Sequence, residues 1–526
     1  MAVEVASLTP MSRRDRLVRV GVDVLIALAI GAVVIAAVLL ADPLMVGGAL
    51  VAAAATFLLR KWIFTWTTML FLLTAVILFV PIRRYALPID VGPALEPYRV
   101  MIVALIVAIA VAVMTGRSLT WRPVVWGWSI AIFLWTMFAS LMFNAVTLTE
   151  AGAVIGPLGN VVQLGFLLST AVIVRQLLRS ERVVMILLNF MVIGGAAIGC
   201  FAFIERYFGV NVFLQLQRFL PLVLLRDDAE SLRAGGLRAY ASAQHPIALS
   251  VVFCMLIPLA IYLMRHSPWP RVSLTRRLLY IACIGAMGVG LLSAVSRTGV
   301  VVLGVMFLVT LLLRPRVALV LAAIALPIVT LVGLVLPRLF ESTVGSFLDI
   351  DALIASQFTS IGFAGQGRLA DLPEAFADFR VNPWAGTGVG TRVVVGDDAN
   401  AQILDNQWLG SLLEAGVIGM IGLIALLVVP AFRMFRFSFT PGVPDKRSHL
   451  TFAIATATVG FIVSMFFFDA FAFMQTLLVL SLLYAIAAWA MTEPVEEDPV
   501  EEDPVGGSGA EGDRAAAASE PRVPAP

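Results

Sequence analysis

The sequence predicts an all-α protein: a polytopic membrane helix bundle of about 12–14 transmembrane helices, with a large extracytoplasmic loop that carries short helices. Hydrophobic residues make up 60% of the 526-residue chain and charged residues only 13%, and the mean hydropathy is +0.97. Apolar runs long enough to cross about 30 Å of hydrocarbon recur along most of the length. These runs are continuous and do not alternate with polar residues, which favours helices over a β-barrel.

The individual apolar runs predict about fourteen spans. Their centres lie near residues 30, 51, 72, 107, 133, 166, 193, 255, 286, 306, 326, 419, 459 and 481. With the N-terminus in the cytoplasm, the short cytoplasmic segments hold 21 Lys and Arg residues and the outer segments hold 13. Because cytoplasmic loops of membrane proteins carry the excess of basic residues, we expect both termini to lie in the cytoplasm.

The spans divide the chain into three regions. Residues 1–19 are expected to form a cytoplasmic N-terminus, and residues 20–491 a transmembrane domain with two long outer loops, at about 205–245 and 337–407. Residues 492–526 contain the acidic repeat PVEEDPVEEDPV, followed by Gly, Ser, Ala and Pro. Such a segment cannot bury a core, so we expect a disordered cytoplasmic tail.

Composition and spacing argue against several classes of site. The net charge of +2 gives no indication of nucleic-acid binding. All three cysteines lie within predicted spans, so we expect no disulfide. His245, His266 and His449 are far apart in the sequence, and we expect no metal site among them. Since no nucleotide-binding motif is present either, we expect no cofactor and no nucleic-acid partner.

The polar segment from Gly365 to Gly419 interrupts the apolar pattern and contains three candidate site residues, Arg368, Asp405 and Glu414. Within it, residues 368–380 predict a short amphipathic helix, because apolar residues recur there at helical spacing. These residues are Leu369, Leu372, Phe376 and Phe379. Arg368, in an Arg-x-x-x-Leu pattern, lies on the opposite face together with Asp371 and Asp378. This polar face is either a solvated surface with an Arg–Asp pair or a place where Arg368 contacts a substrate.

Asp405 opens the helix that becomes the next span. A carboxylate at this position is commonly an N-cap. Asp405 and Gly416 are eleven residues apart, close to three helical turns, so a continuous helix would place them on one face. Gly416 would then let a neighbouring helix approach closely and fix the carboxylate above a packed cleft. Glu414 points to a different face, and we expect it to have a structural partner.

Three further features have both a structural and a functional interpretation. Arg297 lies in a tight outer turn, where it either extends to lipid headgroups or holds a diphosphate. His245 precedes Pro246 at the start of a span, as a helix cap or as a secondary base. The Gly386, Gly388 and Gly390 series forms a flexible turn or exposes backbone N–H groups to an anion; the plain turn is favoured.

Four motifs, in this order, resemble the O-antigen ligase/polymerase family, the integral-membrane glycosyltransferases of bacterial surface polysaccharides. They are RAYASAQHP (238–246), SRTG (296–299), GRLADL with NPWAGTGVG (367–372 and 382–390) and LDNQWLGSLLEAGVIG (404–419). The resemblance covers about residues 238–430 through these motifs and the remaining chain only through its hydropathy. It implies a location in the bacterial inner membrane.

The resemblance implies a metal-independent inverting transferase that works at the extracytoplasmic face. The donor would be a glycan on polyprenyl diphosphate, held by Arg297, Arg368 and Arg238, with Arg368 also a catalytic residue. Asp405 would orient or deprotonate the hydroxyl of a glycan or glycolipid acceptor, and Glu414 and His245 are secondary candidates. Ligases of the family carry His at the position of Asp405, and this difference favours a polymerase. Other polysaccharide-assembly proteins are expected as partners.

A second class of function also fits the sequence. A transporter of polysaccharide or lipid-linked oligosaccharide would have many spans and buried charges as well. However, the chain lacks two recognisable halves, and its polar residues are concentrated in the outer loops rather than at mid-membrane. A purely structural scaffold is the third and least favoured interpretation.

Overall fold

The computed structural model describes residues 65–88, 94–114, 121–226, 232–233, 236–343, 372–392 and 405–494, together with the single residues 31, 345 and 351. Their helices are α1 (Trp66–Phe79), α2 (Pro97–Met114), α3 (Gly127–Phe143), α4 (Ala145–Glu150), α5 (Ile155–Leu177), α6 (Glu181–Phe208), α7 (Pro246–His266), α8 (Ser273–Ser293), α9 (Arg297–Leu313), α10 (Pro315–Val335), α11 (Pro337–Thr343), α12 (Leu372–Val381), α13 (Gln407–Ser438), α14 (Asp445–Ser464) and α15 (Met474–Thr492). A 3-10 helix spans Val212–Arg218.

Strands are few and short in the described residues. β1 (Tyr85–Ala86) pairs antiparallel with β2 (Val223–Leu224), and β3 (Leu232–Arg233) pairs antiparallel with β4 (Gly236–Leu237). Within the described ranges, eight helices are long and apolar enough to cross a membrane, and α1, α3 and α9 are shorter apolar helices. The predicted class, an all-α polytopic membrane bundle, is therefore confirmed.

Each predicted span centre from residue 72 onward falls inside a helix of the structure. The centres near 30 and 51 lie outside the described residues. The caps explain several of the helix ends. Ser180 accepts a hydrogen bond from the backbone N–H of Val183 at the start of α6, and Gly209 adopts the left-handed conformation that ends the helix.

The bundle is organised around α7 and α15. Every residue of α15 from Met474 to Ala490 is buried, as is most of α7. Two hydrogen bonds join α15 to its neighbours: the Trp126 indole N–H donates to the carbonyl of Tyr484 at 2.8 Å, and the Tyr484 hydroxyl donates to that of Leu426 at 2.9 Å. These bonds fix α15 against the start of α3 and the middle of α13.

Contacts among the described segments that join the helices group these segments at two ends of the bundle. One end, here called the motif end, includes the described connecting segments 80–88, 94–96, 209–226, 236–245, 294–296 and 465–473. The opposite end includes 178–180, 267–272 and 439–444. All the described candidate residues of the four motifs lie at or next to the motif end.

Two histidine side chains are in contact at the opposite end of the bundle. The His266 Nε2 and His449 Nδ1 atoms are 2.8 Å apart. The two side chains meet because α7 ends at the same end of the bundle at which α14 begins. His245 lies at the other end of α7, so the structure brings two of the three histidines together.

Candidate active site at the motif end

The first two motifs are in direct contact. Arg238 is buried, and its Nε donates to the carbonyl oxygen of Ala294 at 3.2 Å, in the turn between α8 and α9. The hydroxyls of Ser250 and Ser296 are 3.0 Å apart and join α7 to the same turn. Arg297 follows as the first residue of α9 and is half-buried. The structure thus brings two of the predicted diphosphate-binding residues, Arg238 and Arg297, to one small region.

Glu205 holds the 238–245 segment from its other side. The Glu205 carboxylate accepts a hydrogen bond from the backbone N–H of Ala241 at 2.7 Å and another from Asn211 Nδ2 at 3.1 Å. The Arg84 guanidinium lies 4.6 Å above the ring of Tyr240. Glu205 was not among the residues selected from the sequence. A carboxylate in the last turn of a long apolar helix is the signal that could have identified it.

His245 is the N-cap of α7. Its Nδ1 accepts a hydrogen bond from the backbone N–H of Ile247 at 3.2 Å, and Pro246 occupies the first turn. The ring lies 5.3 Å from that of Phe473, just before α15. The capping interpretation is therefore what the structure shows, and the role of a secondary base stays a prediction.

The N-cap interpretation of Asp405 is wrong. The residue that caps α13 is Asn406, whose side-chain oxygen accepts a hydrogen bond from the backbone N–H of Leu409 at 3.1 Å. Asparagine caps helices about as well as aspartate, and here it stands one residue closer to the helix. The side chain of Asp405 is exposed at the motif end.

Gly416 breaks α13. Its backbone has φ 63° and ψ −160°, which is not helical. The expected single face shared by Asp405 and Gly416 therefore does not form, because the helix is not continuous between them. The element that approaches Gly416 is also not a neighbouring helix: a Cβ on Gly416 would lie 2.3 Å from the carbonyl oxygen of Trp384, in the glycine-bearing turn at 382–390.

The 382–390 turn forms hydrogen bonds with backbone groups of α13 on both sides of the break. Thr387 N–H donates to Leu413 O at 3.1 Å, and Gly388 N–H donates to Glu414 O at 2.8 Å. In return, the N–H groups of α13 just after the break donate to the turn. These bonds are Val417 to Pro383 at 2.9 Å and Ile418 to Trp384 at 3.1 Å. The third and fourth motifs thus form one hydrogen-bonded unit.

Glu414 has structural partners, as expected. Its carboxylate accepts backbone hydrogen bonds from Gly390 and Arg392. Arg392 in turn forms an ion pair with Asp378 of α12, with a distance of 3.2 Å from Nη1 to Oδ2. Arg368 and Asp371, which were expected on the same polar face as Asp378, lie outside the described residues. The arginine that pairs with Asp378 in the structure is Arg392.

The predicted short helix is present as α12, with one correction to its apolar face. Leu372 and Phe379 pack with Ala375 against Leu409 and Leu413 of α13. Phe376, which was expected on the same face, is 48% exposed. The helical repeat places Ala375 and Phe376 about equally far from the line between Leu372 and Phe379. Ala375 takes the buried position through its contact with Leu409 and Leu413 of α13.

Asp469 is a site residue that the sequence analysis missed. It lies in the 465–473 connection, where its carboxylate accepts backbone hydrogen bonds from Phe471 and Ala472. Burial raises the pKa of Asp469, and the neighbouring charge of Asp405 acts in the same direction, whereas Arg83 lowers it. The isolated carboxylate in the apolar sequence FFFDAFAFM is the signal that could have drawn attention to it.

Backbone strain is concentrated at the motif end. Arg83, Ala241 and Val295 are the non-glycine residues with positive φ among those that the structure describes, at 63°, 46° and 46°. Such backbone conformations are uncommon, and for a β-branched residue such as Val295 they are true outliers. Val295 lies two residues before Arg297, and Ala241 lies three after Arg238. Strain of this kind collects where the surrounding structure fixes functional groups.

The model of the O-antigen ligase family matches residues 282–424. The chain carries an O-antigen ligase domain. The matched range contains SRTG and the whole polar segment from Gly365 to Gly419, whereas RAYASAQHP precedes it. Among curated proteins, none matches the chain significantly. The resemblance is thus confirmed over residues 282–424, and the apolar helices of the described residues indicate a multi-pass membrane protein that carries this domain.

Proposed function

We propose that this O-antigen ligase-type protein is an inverting glycosyltransferase of surface polysaccharide biosynthesis. It transfers a glycan from polyprenyl diphosphate to an acceptor sugar hydroxyl at the extracytoplasmic face of the bacterial inner membrane. The observation that carries the proposal is the assembly of arginines and carboxylates from separate motifs at one end of the bundle. We favour polymerisation over ligation, because Asp405 stands where ligases of the family carry His.

A chain of contacts supports this assembly. Arg238 contacts the turn that leads to Arg297. The same 238–245 segment ends at His245, whose ring lies 5.3 Å from that of Phe473. The 465–473 connection then meets the start of α13, where the Gln407 backbone N–H donates to the carbonyl of Phe468 at 3.2 Å. The cationic motifs and the carboxylates Asp405 and Asp469 are therefore parts of one packed structure.

In the proposed reaction, the acceptor oxygen attacks the anomeric carbon of the donor sugar while the bond from that carbon to the diphosphate oxygen breaks. The electron pair leaves with the diphosphate, and the configuration at the anomeric carbon inverts. Arg297, Arg238 and Arg368 stabilise the charge that develops on the leaving group, a role that preorganised cations perform in a site shielded from water. In this proposal these guanidinium groups take the place of a metal ion.

Asp405 receives or orients the proton of the acceptor hydroxyl. Its side chain is exposed at the motif end, so an acceptor from outside reaches it without displacing a packed element. General-base assistance of this kind contributes about 10²–10⁴-fold to a rate. Asp469, within electrostatic range of Asp405, is a second carboxylate that we assign to the same proton-transfer region.

The proposed orientation places the motif end outside the cell. The short connections of the opposite end are rich in basic residues, as cytoplasmic connections are. Arg179 and Arg271 lie in these connections, and Arg276, Arg277 and Lys446 lie near the starts of the adjoining helices α8 and α14. Glycans on polyprenyl diphosphate would then meet the site from the outer leaflet.

The test uses the purified protein in lipid nanodiscs with a synthetic oligosaccharide on polyprenyl diphosphate. We expect a longer glycan of inverted anomeric configuration in the product, formed equally well in the presence of EDTA. A parallel liposome assay follows movement of the labelled lipid between leaflets. Movement without any new glycosidic bond would refute the proposal and support the transporter interpretation instead.

A further inference from the structure

The connection between α1 and α2 contains the third strained residue of the motif end. Arg83 has φ 63° and an exposed side chain. A left-handed backbone costs a residue with a Cβ about 1–2 kcal/mol, and glycine would avoid that cost. The other two strained residues, Ala241 and Val295, lie within three positions of Arg238 and Arg297, which are predicted to bind the substrate. Arg83 is itself an arginine, and it lies far outside the matched family domain.

The backbone of Arg83 is held in place from both sides. Its N–H donates to Glu96 Oε2 at 2.7 Å, and the other oxygen of that buried carboxylate pairs with Arg99 Nη2 at 3.0 Å. On the other side, the Arg84 guanidinium packs over Tyr240, next to the strained Ala241. β1 begins at Tyr85, the residue after Arg84, and pairs with β2. This anchoring prevents the strained residue from relaxing and fixes the direction of its side chain.

The electrostatic surroundings of Arg83 connect it to the site. Arg83 lies within electrostatic range of Asp469, which is itself within range of Asp405. The neighbouring Arg84 contacts the segment that carries Arg238. Arg83 is thus placed between the first motif and the carboxylates of the proposed transferase site.

We propose that Arg83 is a further substrate-binding residue of this site, and that its guanidinium holds an anionic group of the glycan substrate beside Asp469. The inference rests on the proposed function. Guanidinium binds phosphate and carboxylate groups through two parallel hydrogen bonds, so both chemistries fit the residue. The anion is either the diphosphate of the lipid carrier or the carboxylate of an acidic sugar.

The first experiment separates binding from folding with two variants, Arg83→Gly and Arg83→Ala. Both remove the cation, but only glycine also removes the backbone strain, so Arg83→Gly should be at least as thermally stable as the wild type. We expect both variants to lose affinity for the anionic probe equally. One charge-assisted contact contributes about 1.5–3 kcal/mol, so the loss should be about tenfold or more.

The probes identify the source of the anion. Binding to the full-length protein in nanodiscs is measured with geranylgeranyl diphosphate, with geranylgeraniol, and with a soluble oligosaccharide that ends in glucuronic acid. If Arg83 holds the carrier diphosphate, its substitution weakens the binding of geranylgeranyl diphosphate alone. If Arg83 holds a sugar carboxylate, its substitution weakens the binding of the oligosaccharide alone. Geranylgeraniol should bind all variants equally, because it carries no charge.

Two further variants keep the inference separate from the proposed function. Arg218→Ala removes one exposed arginine from the 3-10 helix at the same end, so it controls for a general loss of positive charge. Arg297→Ala tests the proposed site itself. If Arg297→Ala weakens binding but both Arg83 variants bind every probe as the wild type does, the inference about Arg83 is wrong and the proposed function stands. If the wild type binds no anionic probe more tightly than geranylgeraniol, the proposed function fails.

Discussion

The Gly416→Ala substitution tests whether the break in α13 organises the site. A Cβ at position 416 would lie 2.3 Å from the carbonyl oxygen of Trp384 and 2.6 Å from the backbone nitrogen of Ala385. Both are backbone atoms, so no flexible side chain moves aside to make room. The positive φ of Gly416 adds backbone strain of about 1–2 kcal/mol for any residue with a Cβ.

The magnitude follows from the hydrogen bonds that the substitution would disrupt. Four backbone hydrogen bonds join the 382–390 turn to the break. Each contributes about 0.5–1.5 kcal/mol net, so together they are worth about 2–6 kcal/mol. Displacing the turn also disturbs the hydrogen bonds that the backbone N–H groups of Gly390 and Arg392 donate to the Glu414 carboxylate. We therefore expect both a less stable protein and a large loss of glycan transfer.

The assay is thermal unfolding and glycan transfer in nanodiscs, with Gly410→Ala as the matched control. Gly410 lies in the same helix, and a Cβ there would meet no atom within 4 Å. Alanine in a helix interior is about 0.5–1 kcal/mol more favourable than glycine. Gly410→Ala should therefore be as stable as the wild type or slightly more stable, and fully active.

A double substitution sharpens the test. A Cβ on Gly386 would lie 2.4 Å from the carbonyl carbon of Glu414, on the other side of the same contact. Because each single substitution already breaks this contact, Gly386→Ala together with Gly416→Ala should cost little more than either alone. The reasoning is refuted if Gly416→Ala matches the Gly410→Ala control in both stability and transfer.

Three further predictions concern the charged groups. Arg297→Ala should abolish glycan transfer although the protein reaches its normal amount in the membrane. Arg297→Lys should retain only part of the activity, since an ammonium group lacks the bidentate fork of a guanidinium. If both variants turn over as fast as the wild type, Arg297 does not bind the diphosphate. Asp405→Asn should lower glycan transfer by about 10²-fold or more, because the amide cannot accept the proton. Its thermal stability should not fall, because Asn406 caps the helix. Full activity of the purified variant would show that Asp405 has no part in the mechanism. Burial raises the pKa of Asp469, so its carboxylate binds a proton at a higher pH than an exposed aspartate does. The rate–pH profile should therefore have an acid limb that Asp469→Asn removes, and an unchanged profile would count against this role.

The helices could be predicted from the sequence because each span is a long apolar run whose character does not depend on its neighbours. In a bilayer an uninterrupted helix satisfies its own backbone hydrogen bonds, so hydropathy alone locates it. α12 was predictable for a related reason, since Leu372 and Phe379 recur at helical spacing. The departure of Phe376 from that face depends on how closely α12 lies against Leu409 and Leu413, which spacing does not determine.

The site was less predictable because its key contacts join residues distant in sequence. The sequence indicates that Gly416 permits a close approach of another part of the chain. In the structure the approaching part is a turn about 30 residues earlier, and no local sequence pattern identifies that turn. Asp405 and Asn406 are both good caps, and only the geometry of the helix start selects Asn406. Glu205 and Asp469 are single carboxylates in apolar surroundings, and both accept hydrogen bonds from backbone N–H groups, which the sequence does not identify.

The break in α13 has a consequence for where the substrate binds. A broken helix in the hydrocarbon region would leave backbone N–H and C=O groups without partners, at a cost of several kcal/mol each. The 382–390 turn supplies those partners, so it must lie at the depth of the break, among the helices rather than above them. α12 directly precedes this turn, and Arg368 lies four residues before Leu372 in the chain. The described part of the third motif is therefore anchored against α13. In the proposed function, this position lets polar groups of the motif meet a diphosphate whose polyprenyl chain stays in the membrane.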